Sequence, residues 1–426
     1  MLSPFRKFHR RGYIPPVKQA LLCKSKVELW IYIFFTYLCF MITRSIEPLL
    51  LKLAATYPVI TLSGPRQAGK TTLTKMAFPG YNYCNLEHPE LRLLAQQDPK
   101  SFMLQYPSPV IIDEIQRVPE LLSYIQVEVD RIGKTGMFIL TGSQQLKLNA
   151  SVSQSLAGRT ALLTLLPFSL QELIQYNDSA LTRDKILFKG FLPRVYDQHQ
   201  EPLMAYRNYL QTYVERDVRQ LVNIKDLHVF ETFLKLLAGR VGQLVNFNSL
   251  ASDTGVSAVT IANWLSVLEA SYIIYRLNPY FENLGKRVIK SPKIYFTEPG
   301  LACYLLGIED ESQIARDPLL GNLFENVVVM EAVKARYNKG LDAGLYFYRD
   351  SNHNEIDLLW KKDGELFPVE IKSAQTFNES FTKNILKFKR NNPSRNKGCL
   401  VYGGELGFTT KDDVLVTGFS QFWKLF

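Results

Sequence analysis

Gly64-Pro65-Arg66-Gln67-Ala68-Gly69-Lys70-Thr71 is a complete G-x-x-x-x-G-K-[ST] run directly after the apolar stretch Val59-Ile60-Thr61-Leu62. Its glycines let backbone N–H groups turn inward around an anion, Lys70 supplies a cation for β- and γ-phosphates, and the Thr71 hydroxyl can ligate Mg²⁺. Thr72-Leu73-Thr74-Lys75-Met76 continues the run as helix, the context in which such a loop cradles phosphate. ATP with Mg²⁺ is the first ligand these residues nominate, against the plainer reading of an ordinary Gly-rich turn.

Hydrolysis needs a second, acidic element, and Val110-Ile111-Ile112-Asp113-Glu114 offers one at the end of a strand. Asp113 would hold Mg²⁺ through water, while Glu114 would polarise a water for in-line attack on the γ-phosphate. The competing reading is a strand that ends in two solvated acids. Met137–Leu140 runs into Thr141-Gly142-Ser143-Gln144, which suits either a polar γ-phosphate sensor or a common polar strand end.

Farther on, Asp357 precedes Glu370-Ile371-Lys372. One E-x-K is expected by chance about once in a chain of this size. Placement adds to it: Glu370 and Lys372 are two apart on an apolar strand and share a face, and Asp357 lies on the preceding hairpin strand. Asp357 and Glu370 could hold Mg²⁺ against a scissile phosphate while Lys372 orients water, with Glu325 on the preceding helix completing the set. The alternative is a hairpin with an exposed salt bridge.

With these motifs the chain resembles AAA-type P-loop ATPases, and more narrowly a prokaryotic group that joins an AAA module to a winged-helix segment and a restriction-endonuclease-like C-terminal domain. The resemblance rests on the loop Gly64–Thr71, Ile112-Asp113-Glu114-Ile115-Gln116, Leu140-Thr141-Gly142-Ser143, Leu156-Ala157-Gly158-Arg159 and Tyr213-Val214-Glu215-Arg216-Asp217, and it spans residues 42–426. It implies that Arg159 or Arg216 faces the γ-phosphate, in cis or across a subunit interface of a homo-oligomer. A structural ion pair is the rival role for either arginine. The C-terminal residues resemble the PD-(D/E)XK nuclease core, a fold that also has members without cleavage.

The elements that must position these residues imply an α/β fold. Short apolar runs at 59–62, 110–112, 137–140 and 161–166 read as parallel strands buried on both faces, separated by helices such as Glu120 to Ile132. The division expected is a basic and apolar leader (1–41), a doubly wound AAA-like ATP-binding domain (42–166), a helical lid (167–235), a winged-helix-like segment (236–306) and a restriction-endonuclease-like α/β domain (307–426). Within the fourth, Phe247 to Ser257 and then Ala258 to Ala270 have helix-turn-helix cadence. Tyr272–Leu277 and Lys293–Phe296 read as strands around the basic loop Lys286-Arg287-Val288-Ile289-Lys290. Its second helix offers Asn263 and Trp264 to DNA but no cation for phosphates, so a protein-contacting spacer competes with DNA binding.

Charge narrows the classes further. Of a net +10, +6 sits in the first 40 residues, so bulk basicity speaks weakly for a nucleic-acid partner. The five cysteines are widely spaced without a C-x-x-C pair, as in a reducing cytoplasm, and the five histidines do not cluster into a metal centre. Leu29 to Ile42 is apolar, yet as a helix it would rise only about 21 Å against a hydrocarbon core of about 30 Å. We expect Met41 to be the start and residues 1–40 an upstream over-extension; a membrane anchor is the alternative. The leading functional expectation is an ATPase whose cycle moves a DNA-binding or DNA-cleaving module, with a nucleotide-controlled signalling platform as runner-up.

Overall fold

Apolar runs that cannot alternate because both of their faces are covered become the inner strands of a parallel sheet. In the computed structural model, which describes residues 42–143, 155–176, 181–212, 226–280, 291–350, 354–392 and 397–426, five strands build this sheet. They are β1 (Val59–Ser63), β2 (Asn82–Asn85), β3 (Val110–Asp113), β4 (Phe138–Gly142) and β5 (Thr160–Thr164), in the order β2-β3-β4-β1-β5 with every pair parallel. Successive residues feed opposite cores: Val110, Ile112, Phe138 and Leu140 enter one, whereas Ile60, Leu62, Ile111 and Ile139 enter the other. Helices Glu47–Ala54 and Lys70–Ala77 contribute to the second core and Leu121–Ile132 to the first.

The order matters for chemistry, because β4 stands between β1 and β3. The carboxyl end of β4 therefore separates the loop after β1 from the acids after β3, and Thr141 lies inside this strand, paired with Leu62. The edge strand β2 had no counterpart in the sequence expectation. Asn82-Tyr83-Cys84-Asn85 is polar and buries only Cys84 fully, as a strand with one open side does.

Between 170 and 238 the described secondary-structure elements are helices, including Leu170–Gln175, Pro202–Tyr209 and Leu227–Ala238. The first begins in a capping box, with Ser169 and Glu172 each satisfying the other's backbone N–H. Phe247–Thr254 and Ala258–Ala270 form the helix-turn-helix, turned at Gly255 with Ser257 capping the second helix. β6 (Ile274–Pro279) and β7 (Lys293–Phe296) follow as an antiparallel pair; the basic loop 286–290 and the linker 177–179 lie outside the described residues.

One expectation is corrected here. Trp264 does not face outward: it is buried, its ring 5.2 Å from those of both Phe230 and Phe233, so it holds the helix pair together and offers nothing to DNA. The mixed sheet runs across the expected boundary at 306. β6 continues alongside β8 (Tyr346–Arg349), which joins the hairpin to β9 (Glu355–Lys362), β10 (Glu365–Lys372), β11 (Cys399–Tyr402), β12 (Phe408–Thr409) and β13 (Leu415–Gly418). The result is one mixed sheet in the order β12-β13-β11-β10-β9-β8-β6-β7, and residues Arg44–Phe426 make a single compact unit. Among the described residues, no helix is long and apolar enough to cross a membrane.

Candidate functional site

The loop after β1 has the shape its glycines were expected to allow. Gly64 takes φ +150°, where an added Cβ would run into the Leu165 carbonyl, and Gly69 takes φ +90° before the helix Lys70–Ala77 begins. Gln67 adopts a left-handed conformation between them, at φ 63°. Ala68 is buried, and its carbonyl accepts a hydrogen bond from Arg44 Nη1 at 2.6 Å. Arg44 also donates to the Leu166 carbonyl and pairs with Glu172 at 3.3 Å, bracing the loop against the capped helix. Pro65 and Lys70 fold onto one another, because Lys70 Nζ donates to the carbonyls of Gly64 and Pro65, each at 2.8 Å. Burial lowers the Lys70 pKa to about 8, with Glu114 and Asp113 acting in the opposite direction. Arg66 reaches outward to Glu87 at 3.2 Å, and Thr72 is exposed on the helix.

Opposite the loop, Asp113 is held by three hydroxyls. Thr71 Oγ1 donates to its Oδ2 at 2.7 Å, Tyr83 donates to the same oxygen at 3.0 Å, and Thr141 Oγ1 donates to Oδ1. Glu114 sits in the left-handed region at φ 59°, a conformation uncommon for a glutamate and one that turns it off the strand axis. Its backbone N–H donates to Thr141 Oγ1 at 3.3 Å; Ser143 donates to its carboxylate at 3.1 Å, as does Gln116. Among the described residues neither acid is in an ion pair, so both carboxylate charges remain available to a cation. Hard oxygen donors from Thr71 and Asp113, 2.7 Å apart beside a lysine and a loop of N–H groups, suit Mg²⁺ carried by a polyphosphate.

Gln116 belongs to a motif read from sequence but was given no role, and Tyr83 and Arg44, which depend on tertiary contacts, were not singled out. Tyr272 depends on such contacts too. This residue follows the second helix of the helix-turn-helix, adopts φ 57°, and its hydroxyl lies 2.7 Å from the Ser63 hydroxyl, one residue before the loop.

Arg159 is placed away from these groups. Its carbonyl accepts from Val59 N, at the amino end of β1, whereas the loop leaves the carboxyl end about 13 Å farther along the strand. Its guanidinium binds Asp130 at 2.7 and 2.9 Å on the surface. The expectation that Arg159 faces the γ-phosphate of its own chain is therefore corrected, because the strand separates them. Arg216 lies outside the described residues.

A second group of carboxylates gathers in the mixed sheet. Lys372 Nζ lies 2.9 Å from Glu370 Oε2 and 3.6 Å from Asp357 Oδ2, as a shared strand face and an adjacent strand require. Asp357 Oδ2 also accepts from Ile371 N at 2.8 Å, and Asn384 donates to Glu370 Oε1 at 3.3 Å. Glu325 is turned to another cation: Lys293 of β7 sits 3.0 Å from it and 2.6 Å from Glu355, and Tyr295 donates to it at 2.5 Å. Burial, reinforced by Asp357, pushes the Glu370 carboxyl well above the usual carboxylate range, and burial does the same to Glu325. Among the described residues, no group of three His, Cys, Asp or Glu side chains is arranged to hold a metal ion. Asp357 and Glu370 share Lys372, while Glu325 is turned to Lys293 and Tyr295.

Comparison with known proteins finds three family matches along the chain. Residues 56–174 match the family described as an AAA domain, residues 182–312 a domain of unknown function (DUF8612), and residues 320–422 another (DUF4143). A solved Walker-type ATPase of Pyrococcus abyssi superposes with a TM-score of 0.42 at 14% identity, over 62% of this chain and 96% of that one. An uncharacterized protein of Haemophilus influenzae is 25% identical over 78% of this chain and 86% of its own length. An uncharacterized protein of Mycobacterium tuberculosis is 31% identical over 85% of this chain and 80% of its own length. The chain belongs to the same family as that mycobacterial protein, with an AAA domain followed by two domains of unknown function.

Proposed function

We propose that this protein is an Mg²⁺-dependent ATPase whose nucleotide cycle acts on a DNA-handling C-terminal module. The observation that carries the ATPase reading is the meeting of Thr71, Asp113 and Glu114 at the carboxyl ends of the inner parallel strands, beside the loop Gly64–Thr71. When bound, Mg²⁺ would be held by Thr71 and Asp113 and would supply positive charge to the phosphate oxygens. The loop's N–H groups and Lys70 bind the phosphates, and Lys70 exchanges two carbonyl partners for anionic ones, which favours the ammonium against the pull of burial. Glu114 positions and polarises the attacking water, with Ser143 and Gln116 fixing its carboxylate.

Glu114→Gln tests this assignment. Nucleotide binding should persist while turnover falls about 10²- to 10⁴-fold; unchanged hydrolysis would remove Glu114 from the role. Arg159 lies at the amino ends of its own sheet, so the arginine acting on the γ-phosphate would be Arg216 or one from a second copy of the chain.

The DNA-handling part of the proposal rests on a helix-turn-helix and hairpin that share one sheet with the Asp357, Glu370 and Lys372 cluster. Stimulation of hydrolysis by added DNA is the expected result, and indifference to DNA at low salt would turn the reading to the signalling alternative. Pairing of the carboxylates with Lys372 and Lys293 favours a module that binds without cleaving. Persistent Mg²⁺-dependent cleavage that is lost in Lys372→Ala would reverse that preference.

A further inference from the structure

The helix Lys383–Asn391 buries Ile385 and Phe388 in the core of the mixed sheet and turns its other side to solvent. Lys383, Lys387 and Arg390 are spaced i, i+4, i+7 on that exposed side, about 6 and 4.5 Å apart along the axis. None of the three forms an ion pair with a described residue. They form one edge of a groove of about 570 Å³ whose floor includes Phe377 and Leu386. Lys411 and Asp412 close the far side, and Lys411 is 3.6 Å from Glu379, so the lining cations exceed the acids. The first turn of this helix touches the carboxylate cluster, since Asn384 donates to Glu370. This is also where an unpaired cationic row is found, whereas the second helix of the helix-turn-helix has none.

We infer that this groove is a docking track for single-stranded DNA, with backbone phosphates along Lys383, Lys387 and Arg390 and bases turned toward Phe377 and Leu386. The inference rests on the DNA-handling reading above and assigns that role to a surface. A row of cations beside a half-buried aromatic ring matches the two needs of a single strand, charge for its backbone and a face for its bases. A duplex keeps its bases stacked inside and has no use for the apolar floor. The polyanion that fills both requirements is an unpaired strand.

The test is fluorescence anisotropy of a labelled oligo-dT of roughly 15 nucleotides with the full chain, across a salt titration. The protein carrying Lys383→Gln, Lys387→Gln and Arg390→Gln should bind at least about 10-fold more weakly, and its salt slope should fall by about 2, as expected for three lost phosphate contacts on a single strand. Phe377→Ala should cost about 5-fold or more without changing that slope. ATP hydrolysis without DNA should be unaltered in both, since all four residues belong to the groove on the mixed sheet and none takes part in the loop Gly64–Thr71. Wild-type affinity and slope in the triple variant would overturn the groove while leaving DNA binding elsewhere intact. Absence of oligonucleotide binding by the wild-type chain at low salt would overturn both the groove and the DNA reading. Tighter binding of a duplex, or of polyglutamate in place of DNA, would overturn the assignment to a single strand.

Discussion

Two clusters of carboxylates occupy the two sheets, and they handle their charge in opposite ways. At the parallel sheet, Asp113 and Glu114 are held by hydroxyls and one amide, while the nearby Lys70 spends its protons on carbonyls. At the mixed sheet, Glu370, Asp357, Glu325 and Glu355 are held by Lys372 and Lys293. Neutral donors fix a carboxylate's position and leave its charge for an incoming cation. Lysines fix it and cancel the charge. The same residue types thus make one site that has charge to offer and another whose cations are built in, and an acid count alone could not separate them.

The largest effect should come from the equivalent change made in each cluster. Asp113→Asn removes the charge that Thr71, Tyr83 and Thr141 orient, and should lower Mg²⁺-dependent turnover about 10²- to 10³-fold. Asp357→Asn should leave turnover as it is. Comparable losses in both would erase the distinction and mean that the two sheets act as one catalytic unit.

A second contrast lies in stability. Lys293→Met keeps the length of the side chain but leaves Glu325 and Glu355 without their shared cation, which should cost about 3 to 5 kcal/mol near pH 8, read by denaturant unfolding. The Glu325 carboxyl is already held above the ordinary value by burial, and loss of the lysine moves it farther in that direction. A carboxyl with a raised folded pKa favours the folded state at low pH and loses that contribution as pH rises through the folded value. The deficit should therefore shrink as pH is lowered from 8 toward 5. A deficit independent of pH would mean that Lys293 acts through packing.

How much of this was legible in the chain follows from which interactions are local. The loop Gly64–Thr71 could be read because its backbone shape is set by its own glycines, and the common face of Glu370 and Lys372 because strand geometry repeats every two residues. Strand β2 was missed because an edge strand with one open side need not be apolar. Trp264 was misjudged because which side of a helix is covered depends on Phe230 and Phe233, some thirty residues earlier. Lys293 gave no sign of its role, since only the pairing of β6 with β8 brings its hairpin to Glu325 and Glu355.

Thr141→Val is a finer probe of the hydroxyl-held site. It keeps a β-branched side chain in β4 but removes the donor to Asp113 and the acceptor for Glu114 N–H. A loss of about 10-fold in turnover, with a higher Mg²⁺ requirement and little change in nucleotide affinity, is expected. If affinity fell in step with turnover, Thr141 would be serving the binding of ATP and not the placement of the two acids.

The smallest effect should come from the contact that ties the two regions together. Tyr272 lies between the second helix of the helix-turn-helix and β6, the strand that leads into the mixed sheet, yet its hydroxyl meets Ser63 at the end of β1. A left-handed conformation at a tyrosine costs free energy that glycine would avoid, so the position is held by what surrounds it. A buried hydroxyl one residue from Gly64 is placed to register any shift of the phosphate loop and pass it to the helix pair. Tyr272→Phe keeps the ring packing and removes only the hydroxyl's bonds to Ser63 and Thr164, each worth about 1 kcal/mol. Basal hydrolysis should change by no more than about 5-fold, whereas stimulation by DNA should be lost. Retained stimulation would show that the two sheets communicate by some other contact, and loss of basal activity alone would make Tyr272 a support of the loop and nothing more.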